Sequence, residues 1–535
     1  MRQKAILTTL LIIFSLSVYS QIKEANEKEI RKNLSFLASD KLKGRASGTR
    51  EDKIAAKYIA SKLSEYGFRP LIGNYPLVPF EFTRYRKVEK RSVLSVGSIT
   101  LIEGKDYSVL PISASAEIKG KLVFERSSKD ETEKMLEGKI VVIESDSDSI
   151  PFKVTAFRDR GAVGMLFFSG ETLNRERRTT NSGLSMPVAQ ISREAANKIS
   201  ALEGEEVEYK SVIKVVKGKS YNVVMHIGAE NTTESILLGA HYDHLGMGGK
   251  GSGSMSPKTK EIHNGADDNA SGVASVLEMG RLLAKKKGNL KQNIIVVAFG
   301  GEERGLLGSK IIADTLKKLN LSPVLMLNLD MVGRLVNNRL QIGGGGTFSQ
   351  ADSIIKYSNS AFNFDLTITR DGYGPSDHSS FYSTGVPVLY FTTGVHKEYH
   401  TPLDDVELIN FPGMVSEINF ITTIAYSIAQ SGEYPKFIKI TAPATPARSG
   451  FKVTLGLIPD FTYEAGDGFK VGPITDGKPA QMGGMLAGDI ITAINSKKVS
   501  NIYDYMARLG ELKAGERIQV NVKRDGEEIK LIIQL

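Results

Sequence analysis

Glu234–His244, ESILLGAHYDH, is an apolar run that turns polar at its last residues. A strand buried on both faces reads this way, and polar groups emerge at its active-site end. NIIVVAFGGEE (Asn293–Glu303) and PVLMLNLDMVG (Pro323–Gly333) repeat the pattern. In open α/β sheets, ligands bind beyond the carboxyl ends of the strands. Three strands therefore deliver His241, Glu302 with Glu303, and Asp330 to one edge of one sheet. Between the first two lies GADDNASG (Gly265–Gly272), followed by VASVLEMGRLLAKKK, in which Val273, Val276, Leu277 and Leu283 keep helical spacing. Asp268 thus sits in a tight turn ahead of a helix, where Gly265 and Gly272 allow unusual backbone angles. The expected fold is α/β: a mixed, largely parallel sheet flanked by helices.

The chemistry follows from the residue types. His241, Asp268, Glu303, Asp330 and His400 (in YHTPLDD, Tyr399–Asp405) supply two imidazoles and three carboxylates. That is a donor set for two divalent cations sharing one bridging carboxylate. Glu302, beside a ligand, is left free to act as a base on a metal-activated water. In an extended segment His241 and Asp243 point to the same face, so the Asp243 carboxylate can accept from the imidazole and fix its tautomer. Taken singly, such pairs are mundane: an HxD caps a turn and an EE decorates a solvated helix. The apolar strands ahead of these acids argue otherwise, because charges beside a core are costly unless paired or metal-bound. His396 and His400 lie four apart and either can serve as the ligand, with the Tyr-His-Thr-Pro context favouring His400. His244 and His263 read as bystanders. In SDHSSF (Ser376–Phe381), Asp377 and His378 either line a pocket or cap a helix.

These motifs, in this order, resemble the co-catalytic zinc exopeptidases, the family of aminopeptidase Y, bacterial leucyl aminopeptidases, glutamate carboxypeptidase and the transferrin receptor ectodomain. The resemblance runs from about residue 25 to 432, with one interruption. It implies two Zn²⁺ per chain, His241 and Asp330 on one, Glu303 and His400 on the other, and Asp268 between them. It also implies Glu302 as general base, Asp243 as orienter of His241, and a cis Asp268–Asn269 peptide. Many members have Asp where this chain has Asn269, which is not an expected ligand. The implied activity is hydrolysis of amino-terminal residues from peptides. A carboxypeptidase, a glutaminyl cyclase and a non-catalytic peptide-binding protein are the other occupations of this fold.

The remaining chain divides by texture. Residues 21–90 carry the helical patterns EKEIRKNLSFLASDKL and REDKIAAKYIASKLSEYG around LKGRASGT, which resembles the amino-terminal stretch of the same family. Residues 91–216 read as short strands and turns, and GKIVVI with GAVGML resembles a protease-associated domain, implying a lid or substrate-restricting insert. The catalytic part resumes over 217–433. After a proline-bearing linker, 434–449, the phrase GKPAQMGGMLAGDII and a closing RDGE hairpin make 450–535 resemble a PDZ domain. Such domains add a peptide strand to a sheet edge, with Leu455 to Ile458 implied as the cradle for a peptide carboxyl terminus. GMGGKGSGSMSPKTK (Gly246–Lys260) lacks the GK[ST] ending of a phosphate loop and reads as a mobile loop near the site.

Composition excludes several classes. There are no cysteines among 535 residues, hence no disulfide, no thiolate nucleophile and no lipobox. A net charge of +9 is modest for this length, and no basic patch with interleaved aromatics suggests nucleic acid. Arg2 and Lys4 precede an apolar stretch from Ala5 to Val18, read as a signal peptide over 1–20. Nothing later is long and apolar enough to span a bilayer, so an exported, periplasmic or extracellular protein is expected. Its oligomeric state is not written in the sequence.

Overall fold

The computed structural model describes residues 25–125, 135–146, 150–179, 183–184, 186–228, 232–440, 453–459, 467–474, 478–499 and 502–535. The expected signal peptide (1–20) and most of the expected linker (441–449) lie outside them. The chain divides into two units, Met1–Phe80 with Lys219–Leu535, and Glu81–Gly218. Both boundaries fall inside continuous strands, Leu77–Val88 and Ile213–Ile227.

In the first unit, strands β1 (Ile213–Ile227), β2 (Ser235–His241), β3 (Asn293–Phe299), β4 (Leu325–Leu329), β5 (Arg339–Gly343), β6 (Asp365–Ile368) and β7 (Val388–Thr392) pair in the order β6-β5-β7-β4-β2-β3-β1. The run β7-β4-β2-β3 is parallel. β1 joins β3, and β5 joins β7, antiparallel. The sheet is thus mixed and largely parallel. Every residue of β2 and β4 is buried, which is why both read as unbroken apolar runs.

Alternation sorts those residues between two cores. Ile236, Leu238 and Ala240 face one, with Ile294, Val296 and Ala298 of β3. That core also takes apolar faces from helices α1 (Glu27–Leu37), α2 (Arg50–Glu65), α3 (Gly272–Ala284) and α5 (Phe411–Ser431). Leu237, Ile295, Val297 and Phe299 face the other, against Ile312, Ala313 and Leu316 of α4 (Leu307–Lys318). Helix α5 begins as its sequence reads: Pro412 lies in the first turn and Asn410 Oδ1 accepts the Gly413 amide at 3.0 Å. In register, His241 closes β2 opposite Phe299 of β3, and Asp330 directly follows β4. Burial of the strands therefore fixes which polar groups meet at their ends.

The second unit has its own cores. Parallel strands Ala116–Phe124, Lys139–Glu144, Gly164–Phe168 and Val188–Ile191 place Ile140 and Val142 on one face and Val141 on the other. Residues 453–535 form a further sheet around Leu455, Phe469, Ile491 and Val520. Its closing hairpin pairs Arg524 with Glu527 across Asp525 and Gly526, both at positive φ, the geometry that RDGE signals.

One acid couples α2 to the sheet edge. Asp52 Oδ2 accepts the Gly48 amide at 2.7 Å, while Asp52 is fully buried and, among the described residues, its Oδ1 has no hydrogen-bond partner. Burial pushes its carboxyl up to about 7, against the opposing Tyr242 hydroxyl and Gly48 amide. The folded state then holds a proton that the unfolded chain releases above 3.8, so this group's contribution to stability falls as pH rises from 3.8 to about 7. Asp52→Asn is expected to raise the melting temperature at pH 8 and to leave it unchanged at pH 4. An equal melting temperature at pH 8 would reject this account.

Candidate metal centre

The strand ends, the Asp268 turn and the segment after β7 bring five side chains together. His241 Nε2 lies 3.3 Å from Asp330 Oδ1 and 3.4 Å from Asp268 Oδ1. His400 Nε2 lies 3.1 Å from Asp268 Oδ2 and 3.5 Å from Glu303 Oε2. The two oxygens of Asp268 thus face two different imidazoles, one on each side. The Asp268–Asn269 peptide is cis. Asn269 serves the backbone, its amide donating to Leu329 O at 2.9 Å and its Oδ1 accepting from Gly272 N at 2.9 Å. Gly265 ahead of the turn has φ +56, and a Cβ there would stand 2.1 Å from the Asp268 carbonyl oxygen. Only glycine fits that approach.

Hydrogen bonds to main-chain carbonyls set both imidazoles. A carbonyl only accepts, so the ring nitrogen facing it carries the proton. His241 Nδ1 faces Asp243 O at 3.1 Å and His400 Nδ1 faces Gly253 O at 3.0 Å. That leaves Nε2 of each ring toward the carboxylates, the nitrogen that would offer its lone pair to a cation once its proton is displaced. The residue expected to orient His241 does so through its carbonyl, not its carboxylate. The Asp243 carboxylate instead accepts the Glu302 amide at 3.1 Å and the Ser47 hydroxyl. The two-residue spacing in HYDH offers either acceptor, and the chain turn after β2 selects the backbone.

Other residues depart from their sequence reading. His244, expected to stand aside, is buried with Nδ1 2.8 Å from Glu303 Oε1 and 3.8 Å from Asp268 Oδ2. Two triads have donor atoms close enough to share an ion, His241–Asp268–Asp330 and His244–Asp268–Glu303. His396 faces away, toward Asp267 at 3.3 Å and Glu398 at 3.2 Å, leaving His400 as the imidazole from that segment. Asp377 makes no helix-capping bond; it is fully buried, and among the described residues neither of its carboxylate oxygens has a hydrogen-bond partner. Burial pushes its carboxyl up to about 7, with His241 opposing. Two supports carry no sequence signal. Asp404 accepts the amides of Asp267 and Asp268 at 3.0 Å, tying the His400 segment to the shared turn. Arg45, fully buried, donates to Tyr242 O at 2.6 Å, Gly265 O at 2.7 Å and the Asn264 carbonyl.

The electrostatics call for cations. Burial pushes the Glu302 carboxyl well up; His241 opposes this, and Glu303, Asp377 and Asp330 reinforce it. Burial also acts against ionised Asp268, but His244, His400 and His241 outweigh it and hold this carboxyl below its ordinary range. Glu303 is likewise lowered, burial being overcome by His400 and by the His244 hydrogen bond. A neutral imidazole is the form that ligates, and crowded buried carboxylates are stable only beside compensating charge. Two donors each roughly 2.1 Å from one tetrahedral ion lie roughly 3.4 Å apart. The contacts of 3.1–3.5 Å across Asp268 have that spacing, so the donor set fits two divalent cations. Among the described residues the Glu302 side chain has no hydrogen-bond partner.

Three parts of the chain are similar to known protein families. Residues 222–420 match the model of peptidase family M28, 118–199 that of the PA domain, and 455–535 that of the PDZ domain. The chain therefore combines an M28 peptidase domain, a PA domain and a PDZ domain. Aminopeptidase YwaD of Bacillus subtilis is 32% identical over 216 residues, covering 38% of this chain and 43% of that protein. Leucine aminopeptidase 1 of Neurospora crassa is 28% identical over 215 residues, covering 37% and 51%. The chain spans about half the length of these two relatives. A solved aminopeptidase from Aneurinibacillus sp. strain AM-1 overlays with TM-score 0.49 at 23% identity, covering 81% of this chain and all of that one.

Because Asp268 faces both imidazoles, Asp268→Ala is expected to abolish metal uptake. Elemental analysis after dialysis against zinc measures this directly. Retention of two equivalents would refute a shared carboxylate.

Proposed function

We propose that the protein is an exported, dinuclear zinc aminopeptidase. The observation that carries this reading is the division of the Asp268 carboxylate between the His241 and His400 clusters, beside an unpartnered Glu302. His241 and Asp330 would hold one ion, Glu303 and His400 the other, and Asp268 both. The chemistry that divalent ions held there would supply is a lowered water pKa and a polarised carbonyl. Glu302 takes the proton of the attacking water and passes it to the leaving amine. Its half-buried carboxylate has a raised proton affinity, which suits a group that must both accept and return a proton. Asp243 places it, by holding the Glu302 amide at 3.1 Å.

The M28 match and the aminopeptidase names of the relatives support peptide bonds as substrate. Export rests on the apolar stretch from Ala5 to Val18 behind Arg2 and Lys4. Among the described residues no helix is long and apolar enough to cross a membrane.

Glu302→Gln is expected to keep both ions yet lose on the order of 10²-fold or more in kcat. Near-normal turnover by that variant would remove Glu302 from the role of base. Mass spectrometry of a peptide library with free and acetylated amino termini tests the direction of cleavage. Stepwise loss from free amino termini alone is expected, whereas trimming from the carboxyl end would move the reading to a carboxypeptidase.

A further inference from the structure

The glycine- and serine-rich segment Gly246–Lys260 has no place in the chemistry so far, and its composition reads as a mobile loop. In the folded protein it is bonded to the metal centre. Gly253 O faces His400 Nδ1 at 3.0 Å, and two residues on, the Met255 amide donates to His400 O at 2.9 Å. One short stretch therefore holds both the ring and the main chain of a ligand whose own φ is +55. Among the described residues no other acceptor meets His400 Nδ1, so this stretch alone sets which ring nitrogen faces Asp268 and Glu303.

The stretch has an anchor of its own. His263 is fully buried, and its Nδ1 faces Glu261 O at 3.0 Å, so Nδ1 carries the proton and Nε2 accepts. Ser254 Oγ lies 2.7 Å from that Nε2 and must donate to it. The same hydroxyl accepts the Ser256 amide at 2.9 Å, while the Ser254 amide donates to Ser252 Oγ at 3.2 Å. His263 is tied back in turn, its amide donating to Gly246 O at 2.9 Å. Gly248 lies against the ring, where a Cβ would stand 2.2 Å from His263 Cε1. Proton directions are consistent along the whole chain from Glu261 through His263 and Ser254, the residue next to Gly253.

We propose that Gly246–Lys260 is a positioning strap for the His400 ligand, and that His263, through the Ser254 hydroxyl, is the pin that holds it. The proposal rests on the two-metal reading of the centre. His263 and Ser254 are positioning residues: they touch neither ion nor substrate, and they act by presenting the Gly253 carbonyl to His400. Partners of metal-bound histidines of this kind change metal affinity by about 10- to 100-fold when removed.

The test is zinc titration of the apo full-length protein against a competing chelator, for wild type, Ser254→Ala and Ser254→Thr. Ser254 lies in a partly exposed loop outside both cores, so the alanine variant is expected to fold. Wild type is expected to take up two equivalents. Ser254→Ala should bind one equivalent with unchanged affinity and the other about 10-fold more weakly. Its kcat should fall at limiting zinc, recover with excess zinc, and leave KM unchanged, and Ser254→Thr should restore the affinity. Both equivalents bound by Ser254→Ala as tightly as by wild type would overturn the strap alone. Fewer than two equivalents on wild type would overturn the two-metal reading, and the strap with it.

Discussion

Everything around the centre answers one constraint, the burial of several carboxylates at the end of a sheet with little permanent positive charge nearby. Burial raises the carboxyls of Glu302, Asp243 and Asp377, and neighbouring acids reinforce the shift in each. Arg45 is the resident cation, and even its charge is disfavoured by burial, which lowers its pKa to about 10. It still remains charged at neutral pH. Its guanidinium spends its donors on main-chain carbonyls rather than on the acids, at Tyr242, Gly265 and Asn264. Those carbonyls flank the two turns that carry His241 and Asp268. Arg45 thus fixes ligand-bearing backbone while leaving the carboxylates free to bind something else.

The backbone does much of the second-level work. Carbonyls of Asp243 and Gly253 set the imidazoles of His241 and His400, and amides of Asp267 and Asp268 end on Asp404. Asp404 lies four residues beyond His400, so the segment that carries His400 also clamps the turn that carries Asp268. Main-chain partners cannot change their chemistry by substitution, and side chains enter mainly where two segments must be tied. His244 is different: its Nδ1 meets Glu303, while among the described residues its buried Nε2 has no hydrogen-bond partner.

What is legible in the sequence is what burial writes into it. β2, β3 and β4 read as apolar runs because they are buried on both faces, and their terminal polar residues fall at one edge because the strands are parallel. Only local context favours His400 over His396, and the structure separates them by direction: one faces Asp268, the other Asp267 and Glu398. Contacts across long stretches of chain leave no such trace. Arg45 meets carbonyls about two hundred positions away, and no periodicity announces it. His244 escapes notice because one residue beyond an HxD looks like a turn position. The glycine-rich segment misleads for a similar reason: composition reports the freedom of an isolated chain, whereas its order comes from His263 and His400.

Asp243 shows how His241 and Glu302 are kept in step. Its carbonyl faces His241 Nδ1, and its carboxylate accepts the Glu302 amide and the Ser47 hydroxyl. A single residue therefore fixes the lone-pair direction of one imidazole and the main-chain position of the adjacent acid. Displacing it moves both together, which preserves the spacing between them. The carboxylate itself is raised by burial, against the opposing effects of His241 and Ser47, so it is held by its hydrogen bonds rather than by an ion pair with a basic side chain. The Ser47 hydroxyl ties the same carboxylate to LKGRASGT, whose Arg45 grips the Asp268 turn. The amino-terminal segment thus belongs to the centre, and its Arg45 and Ser47 side chains connect the turn after His241 with the turn that carries Asp268.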